Sequence, residues 1–318
     1  MAIQTYGALT NEQRTAYSAN MIARLLPRVP LLRDAQTETI GENTGTTIQW
    51  RKWGSLALAT AVLAEGSPPA DSALTITAVT ATLAQYGAVV KISDLLIRAG
   101  IDNAMLNTTD VLAEQAGRSM NSLMATELGA NSSVQYANGR ASRLTVAAGD
   151  NFTVAEIKKA VRTLENNNAP KFPDGYYRGV ITAKQKYDLR QDSAYIDLYR
   201  YTDTSALRGN IIGEVEGVRL EVSTDNPVFV GAGAAAIDVH AALIYGMNGY
   251  GAVDLAGQNV PNVNPETERG INVMVVPANT PSKVDPLQQY GVCGWKVAFV
   301  AKVLDSLRVL RVESAVSP

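Results

Sequence analysis

Apolar residues recur at three- and four-residue spacing in some stretches of the chain and alternate with polar ones in others, and these two periods predict most of its elements. Tyr17, Met21 and Leu25 follow the capping box Thr10-x-x-Gln13, predicting an amphipathic helix that Pro27 and Pro30 end. From Asn107 the segment "NTTDVLAEQAGRSMNSLMATELGAN" sets Leu112, Ala116, Met120 and Leu123 on one face, continued by Glu127 and Leu128. Asp110 suits a first turn there, and Gly129 with Asn131 marks the end. A helix of about twenty residues is about 30 Å long, enough to cross a domain as its spine. A third helix is expected from the capping box Thr153-Val-Ala-Glu156, with Ile157, Val161 and Leu164 inward and Lys158, Lys159 and Arg162 toward its C-terminal half. "AKQKYDLRQD" predicts a shorter one.

Strand signals fill much of the rest. "TTIQWRKW" (Thr46–Trp53) and "ALTITAVTATLAQYGAVVKI" (Ala73–Ile92) enclose "GSLALATAVLAEGSPPADS", in which Leu56, Leu58, Val62 and Leu63 sit among Gly54, Gly66, Pro68 and Pro69. The whole reads as a long β-hairpin arm. Two strands alone have no second layer for their apolar face, so this arm needs a neighbouring body or subunit. "IIGEVEGVRLEVS" predicts a hairpin, and "INVMVVP" and "GWKVAFVAKVLDSLRVLRVES" predict late strands. Between helix three and the next strand, "NNNAPKFPDGYYRGVI" combines asparagines, prolines and an Asp174-Gly175 turn, a composition shared by functional loops and by helix-to-strand corners. Helices and strands do not alternate regularly, which favours an α+β fold with antiparallel sheets over a doubly wound one.

Composition narrows the partners. Of 318 residues, 46% are hydrophobic and only 18% charged, a low surface charge for a solitary soluble molecule and a hint of covered surface. The formal net charge of −2 argues against a protein that grips nucleic-acid phosphates, though not against one that merely encloses them. One cysteine, Cys293, allows neither an internal disulfide nor a cysteine metal site and fits a reducing compartment. The polar N-terminus carries no secretory signal, and no uncharged apolar run reaches bilayer-spanning length.

Candidate chemistry is sparse. His240, the single histidine, lies in the apolar run "AAIDVHAALIYG", where a hydrogen-bonded structural role competes with that of a general base. Cys293 sits between Val292 and Gly294 and reads as buried. "VGAGAAAID" matches Gly-x-Gly-x-x-Ala with Asp254 downstream, but no βαβ unit surrounds it, and "GENTG" at Gly41 lacks the Lys-Ser/Thr of a phosphate loop. Glu214 and Glu216 are spaced as a carboxylate pair or as solvated charges guarding a sheet edge. Trp50 and Trp53 flank Arg51 and Lys52, a pattern open to base stacking or to apolar contact within an assembly. No cofactor, catalytic or metal-binding residue is assigned.

In order, a helical arm, a long two-stranded extension, a spine helix, a mixed body and closing strands resemble the major capsid (coat) protein of tailed bacteriophages, the Hong Kong 97-type fold. "TATLAQYGAVVKISDLL", "AVRTLENNNAPKFPDGYY", "YDLRQDSAYID", "GEVEGVRLEVS" and "QYGVCGWKVAFV" are similar to the enquatrovirus-like coat proteins. The resemblance implies an N-terminal arm (1–40), an extended loop (41–85), a peripheral domain with the spine helix (86–150), an axial domain (151–268) and closing strands returning to the peripheral domain (269–318). It implies no enzyme, but a virion subunit assembled in the host bacterial cytoplasm into pentamers and hexamers around double-stranded DNA that is enclosed and not specifically bound. Separate scaffolding, portal and decoration proteins are possible partners, with no membrane among them, and no cleavable scaffolding segment is expected ahead of the arm. Inter-subunit contacts are expected from Tyr17, Met21, Trp50, Arg51, Lys52, Trp53, Leu56, Leu58, Val62, Leu63 and Glu65. A decoration or tail component, or a nucleotide-binding enzyme with Gly231 and Gly233, are the alternatives.

Overall fold

The computed structural model describes residues 30–41, 44–54, 71–99, 104–200, 213–255, 271–278 and 289–317, with 56, 58, 60, 62, 66 and 287 described singly between them. The helix expected from Thr10, with Tyr17 and Met21, lies outside the described residues, as do Leu63 and Glu65.

One long strand, β13 (Tyr290–Val303), organises the first sheet. It pairs antiparallel with β4 (Ala84–Ser93) along one edge, and with β12 (Ile271–Val276) and then β11 (Tyr250–Leu255) along the other. β1 (Gln36–Ile40) adds to β11 in parallel. Period-two alternation turns Cys293, Trp295, Val297 and Phe299 of β13 to one face, where the spine helix α3 (Ala104–Gly129) packs its Leu112, Ala116, Met120 and Met124. The helix starts three residues before Asn107, so Asp110 falls in its second turn and not the first.

The second sheet runs β5-β14-β10-β6-β8-β7: β5 (Val134–Tyr136), β14 (Val309–Ser314), β10 (Val239–Tyr245), β6 (Tyr177–Ile181), β8 (Val218–Val222) and β7 (Glu214–Val215). The short β9 (Val228–Phe229) also pairs with β10. Every residue of β10 is buried, since the sheet is covered on both faces. On one side lie Ile157, Ala160 and Leu164 of α4 (Val154–Asn166) and Leu189 of α5 (Ala183–Gln191). On the other, Leu243, Tyr245 and Val309 join the α3 cluster, so the spine helix serves both sheets. Two further helices, α2 (Asp94–Ala99) and α6 (Ser193–Arg200), follow β4 and α5. β2 (Thr47–Trp53) and β3 (Ile76–Thr82) pair only with each other.

The fold is α+β, but the sheets are mixed, because β1–β11, β5–β14 and β6–β8 pair in parallel. The long run Ala73–Ile92 divides at Leu83 into β3 and β4, which serve different sheets. The strands of 269–318 also divide, β13 to the first sheet and β14 to the second. The capping box at Thr153 does not form. Asp192 accepts the Val154 N–H instead (2.8 Å), while the buried Glu156 turns away to take Gln135 Nε2 (2.8 Å), the Asn138 N–H (3.1 Å) and Lys159 Nζ (2.7 Å). The stretch after α4 is the corner its composition suggested: the Gly175 N–H closes on Phe172 O (2.8 Å) with φ +83°, and Tyr177 opens β6.

The N-terminal end of the described chain ties the sheets together. α1 (Pro30–Asp34) buries Leu31 and Leu32 against α3. Asp34 accepts the Tyr245 hydroxyl of the second sheet (3.0 Å), and Leu31 O accepts that of Tyr250 of the first (2.7 Å).

Candidate assembly surface

The β2–β3 hairpin has a fixed root and a bare tip. In β2, alternation puts Ile48, Trp50 and the exposed Lys52 on one face and Gln49, Arg51 and Trp53 on the other. Trp50 is 8% exposed and packs with Ile40, Ala81 and Val253 beside Val300 and Leu304. Gly251 makes room for it, since a Cβ there would lie 3.0 Å from Trp50 Cζ2. One turn of the ladder further on, Lys52 Nζ meets Asp305 Oδ2 (2.5 Å), which Arg308 also contacts (3.1 Å). Asp305 is held in place because its own N–H and that of Leu304 both donate to Gly249 O.

Past the Gly54 N–H to Thr75 O bond (2.8 Å) the exposure climbs. Trp53 and Ile76, directly opposite each other, are 60% and 51% exposed, and Leu58 and Val62 reach 88% and 97%. Leu56 and Leu74 are also more than half exposed. Such a run of large apolar side chains in water marks a surface made to be covered.

Two of the expected contact residues are therefore used differently. Trp50 belongs to the subunit's own core, and Lys52 already has its counter-charge within the subunit, because three-residue spacing on a strand puts the two tryptophans on opposite faces. The same geometry removes a shared stacking platform. Arg51, Trp53, Leu56, Leu58 and Val62 remain outward and exposed.

The other candidate chemistry resolves into structural roles. His240 is buried with Nδ1 3.1 Å from Thr182 Oγ1, and burial, with Lys184 nearby, lowers its pKa. That hydroxyl caps α5, accepting the Gln185 N–H (3.3 Å). Cys293 is buried 3.7 Å from Met105 Sδ, and burial raises its pKa. Gly231–Ala236 follows a two-residue strand and leads through a single 3-10 turn into β10, with the Gly231 N–H bound to Asp238 Oδ1 (2.9 Å), so no strand–loop–helix phosphate cradle forms. Glu214 and Glu216 do not face each other: Glu216 sits in the turn (φ +49°) with Lys158 at 3.4 Å. Glu214 pairs with Arg219, whose hydrogen bond, aided by the Tyr176 hydroxyl, lowers the Glu214 pKa. Among the described residues no cluster of three or more His, Cys, Asp and Glu could hold a metal ion, and no helix is long and apolar enough to cross a membrane.

Two features escaped the sequence pattern. Glu313, fully buried in β14, takes both Nε and Nη2 of Arg143 at 2.7 Å, with Arg311 Nε also 2.7 Å away and the Phe229 ring 3.4 Å from the Arg143 guanidinium. Charges inside the apolar run "VLRVES" were its only trace. The second is the outward face of β4 and β12, where Val89, Met274 and Val276 stand exposed. The unbroken apolar pair Val89-Val90 was a signal for it, because a one-sided strand would alternate there.

The described fold is similar to capsid structures. The capsid of Ralstonia phage GP4 superposes with a TM-score of 0.67 at 12% identity, over 89% of this chain and 87% of that one. The cyanophage Pam1 capsid gives 0.64 at 14% identity over 92% of each chain. The capsid of Helicobacter pylori bacteriophage KHP30 gives 0.63 at 10% identity over 99% and 94%. No curated protein sequence matches the chain. The family model described as phage capsid protein matches residues 76–311, which takes in the spine helix and most of both sheets, and the chain therefore belongs to the phage capsid protein family.

Proposed function

We propose that copies of this capsid subunit build the phage head by laying the β2–β3 hairpin of each on its neighbour, closing pentamers and hexamers into an icosahedral shell around double-stranded DNA. The observation that carries this is the exposure gradient along the hairpin, from 8% at Trp50 to 97% at Val62. A root fixed in its own subunit and an apolar tip left in water is the form of an element that crosses to another molecule. Head-to-tail repetition of one such contact generates rings when the rotation closes. The role is mechanical and needs no cofactor. A net charge of −2 suits a wall that encloses DNA without gripping it. On this reading the first sheet and spine helix make the peripheral domain and the second sheet the axial one, which moves β1 out of the expected arm (1–40) and β11 out of the expected axial span (151–268) into the first, and β5 out of the expected peripheral span (86–150) into the second. Assembly takes place in the bacterial cytoplasm, with separate scaffolding, portal and decoration proteins as possible partners.

Negative-stain microscopy of the purified full chain tests this. Shells, tubes or ring-shaped capsomers are expected. A strictly monomeric species across concentration and salt, with scaffolding protein present, overturns it.

A further inference from the structure

A cavity of about 480 Å³ lies between β1, the root of the hairpin and the turns that carry Asn248 and Asp305. β1 pairs only with β11 and β2 only with β3, so each strand keeps an unpaired edge. Side chains from both faces of β2 reach the cavity around that edge, which is how Gln49 and Arg51 line it together with Trp50 and Lys52. Trp50 is 8% exposed, and its Nε1 is buried with no hydrogen-bond partner. A Cβ on Gly251 would lie 3.0 Å from Trp50 Cζ2, on the Nε1 side of the indole, and 3.2 Å from both Gln36 O and Leu304 Cδ1. Gln36 and Leu304 line the cavity, so the edge of the ring that carries the unpaired donor borders it. Buried donors without an acceptor are rare in folded proteins, and each calls for an explanation.

The charges around the cavity fit a ligand that supplies acceptors. Arg51, Lys52 and Arg308 stand against Glu38 and Asp305, three cations to two carboxylates. Lys52 and Arg308 share one oxygen of Asp305, at 2.5 and 3.1 Å, and Glu38 accepts Gln36 Nε2 at 3.2 Å. Arg51 has no carboxylate partner among the described residues.

We infer that this cavity binds a small tetrahedral oxyanion of the phosphate type, with Arg51 and Lys52 supplying the counter-charge and Trp50 Nε1 a directional donor. A guanidinium fork, an ammonium and a fixed indole N–H approach from different directions, and an anion with several acceptor oxygens can satisfy them together. The inference does not depend on hairpin exchange. An anion held there ties β1 to the hairpin root and to the corner between β13 and β14, and so fixes the direction in which the arm leaves its subunit.

Titration calorimetry of the unassembled full chain with inorganic phosphate at constant ionic strength, with chloride as the matched control, tests this. Two charge-assisted hydrogen bonds and one neutral one, opposed by Glu38, place half-saturation at about 1 mM for the wild type. Arg51→Gln is expected to weaken binding about tenfold or more. Trp50→Phe, which keeps an aromatic ring and removes the N–H, is expected to weaken it about fivefold. Arg51 is exposed, so the thermal midpoint of the unligated Arg51→Gln subunit is expected to match the wild type, which separates lost binding from a lost fold. If Trp50→Phe does not fold, Arg51→Gln decides alone. Absence of saturable binding beyond the chloride control overturns the inference, and so does unchanged affinity in Arg51→Gln or in a folded Trp50→Phe.

Discussion

Replacing the apolar tip of the hairpin and replacing its root are expected to damage two different things. Consider the quadruple variant Leu56→Ser, Leu58→Ser, Val62→Ser and Leu74→Ser. Full burial of a large aliphatic side chain contributes about 2 kcal/mol. Leu58 and Val62 are almost wholly in water in the subunit, and Leu56 and Leu74 are a little over half exposed. The variant should therefore cost the isolated subunit no more than about 2 kcal/mol, whereas a neighbour that covered all four would lose up to about 6 kcal/mol per contact. The second figure is an upper limit, since part of any burial offsets the ordering of the tip. It still corresponds to about four decades in an association constant. Trp50→Ala reverses the balance. Trp50 is 8% exposed inside its own subunit, so its removal should cost about 3–5 kcal/mol of subunit stability. Guanidinium unfolding of unassembled subunit reads the first quantity, and sedimentation velocity across a concentration series reads the second. Equal destabilisation by the two variants, or assembly of the tip variant at the wild-type concentration, would refute the division into root and tip.

Two further outcomes concern the second sheet. The His240 pKa is held below its ordinary 6.5 by burial, with Lys184 adding to the effect and Asp238 and Asp188 opposing it, so the unfolded chain binds that proton more readily than the folded one. Its contribution to stability is complete above about pH 6.5 and shrinks as pH falls below that value until the folded pKa is passed. His240→Gln should flatten the loss of unfolding free energy between about pH 7 and 5, and equal slopes for both proteins would contradict the burial argument. Arg143→Ala strips the bidentate partner from the buried Glu313 carboxylate. The expected loss is about 2–3 kcal/mol, less than for a fully enclosed pair, because Arg143 is partly exposed and Arg311 remains. Chemical unfolding at neutral pH measures it, and a change below about 0.5 kcal/mol would show the pair to be dispensable.

Period and punctuation alone located the spine helix, α4, α5, the β7–β8 hairpin and the late strands, because each of these has a face whose spacing is fixed by its own backbone geometry. The hairpin arm was legible for a similar reason: its apolar residues lie between glycines and prolines with no second layer in the adjacent sequence. What spacing could not carry was the partner of each face. Thr153 reads as a cap with Glu156 behind it, yet Asp192, 38 residues away, takes the Val154 N–H while Glu156 anchors a loop. Trp50 and Trp53 look like a pair in the sequence and are separated by the pleat. The Arg143–Glu313 contact joins residues 170 apart, and the division of the Ala73–Ile92 run depends on which sheet offers each half an edge. Local sequence thus determined where this protein makes helices, strands and an uncovered arm, since those follow from backbone periodicity and side-chain chemistry within a few residues. Only the tertiary structure decided which apolar residues the subunit keeps for its own core and which it leaves for another, because that depends on contacts between segments far apart along the chain.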